Sequence, residues 1–128
     1  MKIKLSKSES EKIFHNSLCN GSQIAYYGLS IDYDQTDYNK SKKSLEKANQ
    51  SLCYEDVWMK MLKDGYSLTI VDSEGEGHYT KSIVLADVHA RVELTPTRHL
   101  MDAINEQDDG DTADCILQTV FFKDIIFG

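Results

Sequence analysis

The chain has 128 residues, 41% hydrophobic and 27% charged, with a single proline. That length predicts one globular domain large enough to bury a core without disulfide or metal staples. A net charge of -7 with a pI near 5.0 argues against a general binder of nucleic-acid backbone, whose phosphates attract basic surfaces.

The charge is unevenly placed. Residues 1–50 hold eight lysines against six acids, whereas residues 51–128 hold six bases against fifteen acids. The densest stretch, Asp102 to Asp114, has six acids and no base. Such asymmetry marks either a solvated face or an interaction surface. Met1 to Ser10 is charged throughout and no apolar run reaches the length of a bilayer span, so the expectation is an intracellular, cytoplasmic protein. Cys19, Cys53 and Cys115 are odd in number and widely spaced, which predicts reduced, partly buried thiols and neither a disulfide framework nor a cysteine-rich zinc site.

Ser6-x-x-Glu9 and Ser8-x-x-Glu11 both have capping-box spacing and predict a first helix with Ile13, Phe14 and Leu18 on its apolar side. Asn20-Gly21 should close that helix in a left-handed conformation. From Gln23 to Asp34 the period is two, with Tyr27, Leu29, Ile31 and Tyr33 on one face, so a half-buried strand is expected. Asp34 to Asp37 should turn the chain and cap a Lys-rich surface helix over 36–49, with coil as the alternative. A clearer helix spans 55–64, carrying Val57, Trp58, Met61 and Leu62 and ended by Gly65; Trp58 is the expected centre of the core.

Residues 66–72 and 78–85 read as strands joined through Ser73 to Gly77 into a hairpin. Helices follow over 85–94 and 96–107, the second capped by Thr95-Pro96, and then a last helix capped by Asp111 with Cys115, Ile116, Leu117, Val120 and Phe121. The apolar ending Ile125-Ile126-Phe127 should pack on the body. The order α-β-α-α-β-β-α-α-α predicts an α+β fold: about three strands in an antiparallel or mixed sheet, packed by about six helices.

Several constellations carry possible chemistry. Setting Gly110 at the sixth position of a calcium loop leaves Ile116 where a bidentate glutamate is required, so a turn is the better reading of Asn105, Gln107, Asp109 and Asp111. Asp87, His89, His99 and Asp102 could form a metal site for zinc or iron if their two helices face each other, although no His-x-x-x-His or Glu-x-x-His spacing is present. The run Glu74-Gly75-Glu76-Gly77 lacks the lysine and following helix of a phosphate cradle. No nucleophile elbow or locally activated cysteine is evident. Tyr26, Tyr27, Tyr33 and Tyr38 lack the arginines of a base-stacking platform, so core packing is expected for them.

The ending Thr112-Ala113-Asp114-Cys115-Ile116-Leu117-Gln118-Thr119-Val120-Phe121-Phe122, closing on Ile125 to Gly128, resembles the ends of small uncharacterised proteins carried by phages and mobile elements. The resemblance extends over roughly residues 54–128, including the Leu85-Ala-Asp-Val segment, and carries no catalytic motif. It implies a phage or mobile-element context; with the acidic C-terminal part and the absence of an assembled catalytic set, the leading expectation is a non-enzymatic accessory or inhibitor protein acting on a host protein in the host cytoplasm. Together with the charge polarity it makes Asp102, Glu106, Asp108, Asp109 and Asp111 the expected partner-binding residues. Their carboxylates could stand in for phosphates on a nucleic-acid-binding partner. No cofactor and no direct nucleic-acid contact is expected. The alternatives are a small metal-dependent enzyme built on Asp87, His89, His99 and Asp102, and a self-associating module joined through Ile125 to Phe127.

Overall fold

A computed structural model describes residues 3–50, 53–107 and 109–128. Among the described residues, six α-helices and a three-stranded antiparallel sheet give an α+β fold, with the elements in the order read from the sequence.

Helix α1 (Lys7–Asn20) starts at Ser6, whose hydroxyl accepts from Glu9 N while the Glu9 carboxylate accepts from Ser6 N. The Ser6 backbone amide, and after it the Ser6 hydroxyl, hold the Glu9 carboxyl below its ordinary range. Gly21 ends α1 at φ -88°, so its glycine is not there to supply a left-handed turn. A Cβ at this position would instead collide with the Leu117 side chain and the Ser17 carbonyl, so glycine permits a close approach.

Residues Ser22–Tyr27 form a 3-10 turn where a strand was expected, and Gly28 at φ +75° converts it into strand β1 (Leu29–Asp32). Helix α2 (Gln35–Lys47) is capped by Asp34, which accepts from Asp37 N, and buries Tyr38, Ser41 and Leu45 along one stripe. That stripe is enough to make a helix of the Lys-rich segment. Helix α3 (Tyr54–Lys63) buries Val57, Met59, Met61 and Leu62, and Gly65 at φ +93° follows it.

Trp58 does not sit at the core centre. It is half-buried at the border of the α3 stripe, tilted against Tyr33 and stacked on exposed Tyr54.

Strands β2 (Leu68–Asp72) and β3 (Lys81–Ile83) form the expected hairpin, and β1 pairs with the other edge of β2, giving the order β1-β2-β3. The strands are shorter than the sequence suggested: β2 starts two residues later, and β3 gives up 78–80 to the connection and 84–85 to the start of the next helix. Buried Asp72 accepts from Gly75 N at 2.7 Å and Tyr79 N at 3.2 Å, winding residues 73–80 into successive turns. Leu68, Ile70 and Leu29 face the helices, while Ser30, Asp32 and Ser82 are exposed on the opposite face.

Helix α4 (Leu85–Arg91) runs into a 3-10 turn (Val92–Leu94), and α5 (Thr97–Ile104) follows. Pro96, not Thr95, occupies the N-cap position of α5, and the buried Thr95 hydroxyl has no partner among the described residues. Helix α6 (Gly110–Phe122) is capped by Asp109 rather than Asp111: Asp109 is extended and accepts from Thr112 N at 3.0 Å.

Helix α6 is the centre of the fold. Nine of its 13 residues are buried, and it packs on α1, α4, α5 and β3. Phe14 of α1 meets Phe121 of α6 with ring centroids 6.3 Å apart, and neither ring is exposed by more than 2%. Removing either ring would cost about 3–5 kcal/mol. Buried apolar residues from every helix and strand join one cluster. No helix among the described residues is long and apolar enough to cross a membrane.

Candidate functional site

The turn between α5 and α6 carries the acidic segment. Along α5, Leu100 and Ala103 point inward, which forces their neighbours outward. Met101 and Ile104 are therefore 42% and 38% exposed, with half-buried Asp102 between them. Glu106, at φ +57°, follows the helix end and reaches Lys12 of α1 at 3.1 Å. Asp109 is exposed and caps α6; three backbone amides and the Thr112 hydroxyl act on it, led by Thr112 N, and hold its carboxyl below the ordinary range. Asp111 is exposed in the first turn of α6 and accepts from Gln23 Nε2 at 2.8 Å. Asp108 lies outside the described residues.

The acids of this segment are thus interspersed with two exposed apolar side chains, Met101 and Ile104. Of Asp102, Glu106, Asp109 and Asp111, only Glu106 forms an ion pair among the described residues. Asp114, the last acid of the segment, turns inward. It is 5% exposed and accepts from Tyr27 Oη at 3.2 Å and Gln118 Nε2 at 3.1 Å. Burial pushes its carboxyl up, outweighing those two hydrogen bonds.

Three of the four residues of the metal alternative go to separate partners, and among the described residues Asp102 joins none of them. Asp87 accepts from Val84 N at 2.9 Å and pairs with Arg91 at 3.1 Å. His89 meets Glu11 at 2.7 Å, whereas His99 meets the Thr112 hydroxyl at 3.1 Å. Among the described residues no three His, Cys, Asp or Glu side chains are gathered to hold a metal ion.

The cysteines are also placed differently from the expectation: Cys19 and Cys53 are exposed, and only Cys115 is half-buried. Burial, with acidic neighbours, pushes the Cys19 and Cys115 thiols up, which disfavours the nucleophilic thiolate.

The apolar ending turns back onto its own chain. Phe127 stacks on Tyr27 at 5.2 Å and meets Tyr79 edge-on at 5.3 Å, leaving Ile126 40% exposed.

A second feature was not legible in the sequence. Helices α1 and α3 enclose a cleft of about 460 Å³. From α1 it takes Glu11, Lys12 and His15, and from α3 Asp56, Lys60 and Lys63, with Leu45 of α2 also in its wall. His15 Nε2 and Asp56 Oδ1 are 2.7 Å apart across the cleft, and Glu11 receives both His89 and, at 3.6 Å, Lys63. The spacing Glu11, Lys12, His15 marks a polar side of α1, but only the tertiary arrangement shows that this side meets a second helix.

No protein-family model, no curated protein and no solved structure matches the chain.

Proposed function

We propose that the protein is a non-enzymatic binding protein, of accessory or inhibitor type, that engages a basic surface on another protein through the α5–α6 corner. The observation that carries this reading is that exposed Met101 and Ile104 stand in the same segment as half-buried Asp102 and the exposed acids Glu106, Asp109 and Asp111. Met101 and Ile104 supply area that loses water on contact, and Asp102, Asp109 and Asp111 supply a negative rim with no cation bound among the described residues.

Apolar anchors inside a charged rim combine the two requirements of a specific protein interface. Desolvation gives affinity, and complementary charge gives orientation and fast encounter. The fitting partner is a protein with a positive groove of the kind that binds nucleic acid, where the carboxylates would occupy phosphate positions. The likeness of residues 54–128 to small phage and mobile-element proteins supports a host protein as that partner, met in the host cytoplasm.

The test is capture on the immobilised full-length chain. At about 0.05 M salt a partner should be retained, and at about 0.5 M most of it should be released, because the shorter screening length removes the charge contribution. Retention that is indifferent to salt would point to another surface.

A further inference from the structure

We propose that the cleft between α1 and α3 is a binding site for a small phosphorylated ligand. Its volume of about 460 Å³ falls within the range of small-molecule sites. In a chain of net charge -7, its wall carries three ammonium groups, on Lys12, Lys60 and Lys63, against two carboxylates.

Both carboxylates already have partners. Asp56 is taken by His15, and Glu11 by His89 and Lys63. Two of the three lysines are held only lightly. Lys12 reaches Glu106 with both side chains more than 60% exposed, and Lys63 stands 3.6 Å from Glu11, beyond hydrogen-bond length, whereas Lys60 donates to Asp64 at 2.5 Å with both side chains mostly covered. A pair as exposed as Lys12–Glu106 contributes about 0–1 kcal/mol and Lys63 is too far from Glu11 to hydrogen-bond, so an anion of higher charge density can draw these two ammonium groups away from their present partners, with Lys60 beside them.

The donor set selects the ligand chemistry. Lysines act as point charges and suit a tetrahedral dianion, and the cleft wall holds no arginine to grip a planar carboxylate with a two-pronged fork. His15 adds a directional group. An ionised Asp56 can only accept, so Nε2 carries the proton between them and Nδ1 is the ring nitrogen left for a ligand. It accepts from a protonated phosphate oxygen when the ring is neutral and donates to a bare one when the ring is charged.

The experiment is a titration of the full-length chain with inorganic pyrophosphate, followed by calorimetry and by backbone amide shifts. One saturable site is expected, with the largest shifts in 8–15 and 56–63. The double variant Lys60→Ala/Lys63→Ala should weaken binding at least about tenfold, since two charge-assisted contacts are lost. Lys40→Ala/Lys43→Ala removes the same charge from exposed positions of α2 outside the cleft and should leave affinity within about twofold. Absence of saturable binding, equal weakening by both double variants, or shifts centred away from α1 and α3 would each overturn the proposal. The two lysine pairs lie outside the acidic corner, so none of these results depends on the protein-binding reading.

Discussion

The side-chain amide of Gln118 pairs with the backbone of Phe127 as a neighbouring strand would: Oε1 accepts the Phe127 N–H at 2.8 Å and Nε2 donates to the Phe127 carbonyl at 3.2 Å. The same Oε1 takes Ile126 N at 2.8 Å, and the same Nε2 reaches Asp114 at 3.1 Å. One fully buried amide on α6 thereby fastens the end of the chain to the core and occupies one oxygen of a buried carboxyl.

Replacing Gln118 by Met keeps most of the volume and removes all four bonds. The expected loss of stability is about 2–4 kcal/mol, because each bond contributes about 1 kcal/mol and Asp114 is left with fewer donors. Chemical unfolding checks the magnitude. Hydrogen exchange at Ile126 and Phe127 should accelerate with it; unchanged protection there would show that the ring contacts of Phe127 hold the ending by themselves.

Asp114 gives a pH dependence of definite sign. Its folded carboxyl lies above the ordinary range because it is buried, so the folded protein binds that proton more tightly than the unfolded chain does. The resulting stability is fully present below the unfolded carboxylate range and is lost as the pH rises through the folded value. Asp114→Asn retains an oxygen for Gln118 and an amide for the Tyr27 hydroxyl, and it has no proton to lose. Urea unfolding from pH 4 to 7 should therefore show the variant gaining on the wild type as the pH rises. A constant difference across that range would contradict the assignment.

Two glycines separate steric from conformational demand. Gly21→Ala places a methyl group against Leu117 and the Ser17 carbonyl at an ordinary φ, so the α1–α6 contact must open, at a cost of about 1–3 kcal/mol. Gly65→Ala meets nothing within 4 Å but must adopt φ +93°, which costs about 1–2 kcal/mol. Thermal unfolding should show both losses, and amide shifts at Leu117 should move only in the first variant.

The element order was legible because each helix carries a local signal: the Ser6–Glu9 box, the stripe of α3, Gly65 after it, and the apolar run of α6. Where the reading failed, two local patterns competed. The alternation Tyr27, Leu29, Ile31, Tyr33 is real from Leu29 onward, but Ile24 and Tyr27 also stand three apart, and that spacing prevails as a 3-10 turn up to Gly28. Asp109 and Asp111 both have capping chemistry, and the extended backbone at Asp109 decides between them. Trp58 borders the buried stripe of α3: the helical spacing marks its side of the helix but not its depth, and the large indole fits at the edge beside Tyr33 and Tyr54.

The candidate sites divide in the same way. The acidic strip is contiguous in sequence, so composition alone located it. The His15–Asp56 pair joins residues 41 apart and could be seen only once α1 and α3 were brought together.

The central claim is that the α5–α6 corner recognises a basic partner, and neutralising its carboxylates tests it most directly. Asp102→Asn/Glu106→Gln/Asp111→Asn removes three charges while leaving the Asp109 cap and the buried Asp114 in place. Captured side by side at about 0.05 M salt, where exposed charges are least screened, the wild type should retain a partner that the folded triple variant does not. Retention of the same partner by both proteins, or by neither, would contradict it.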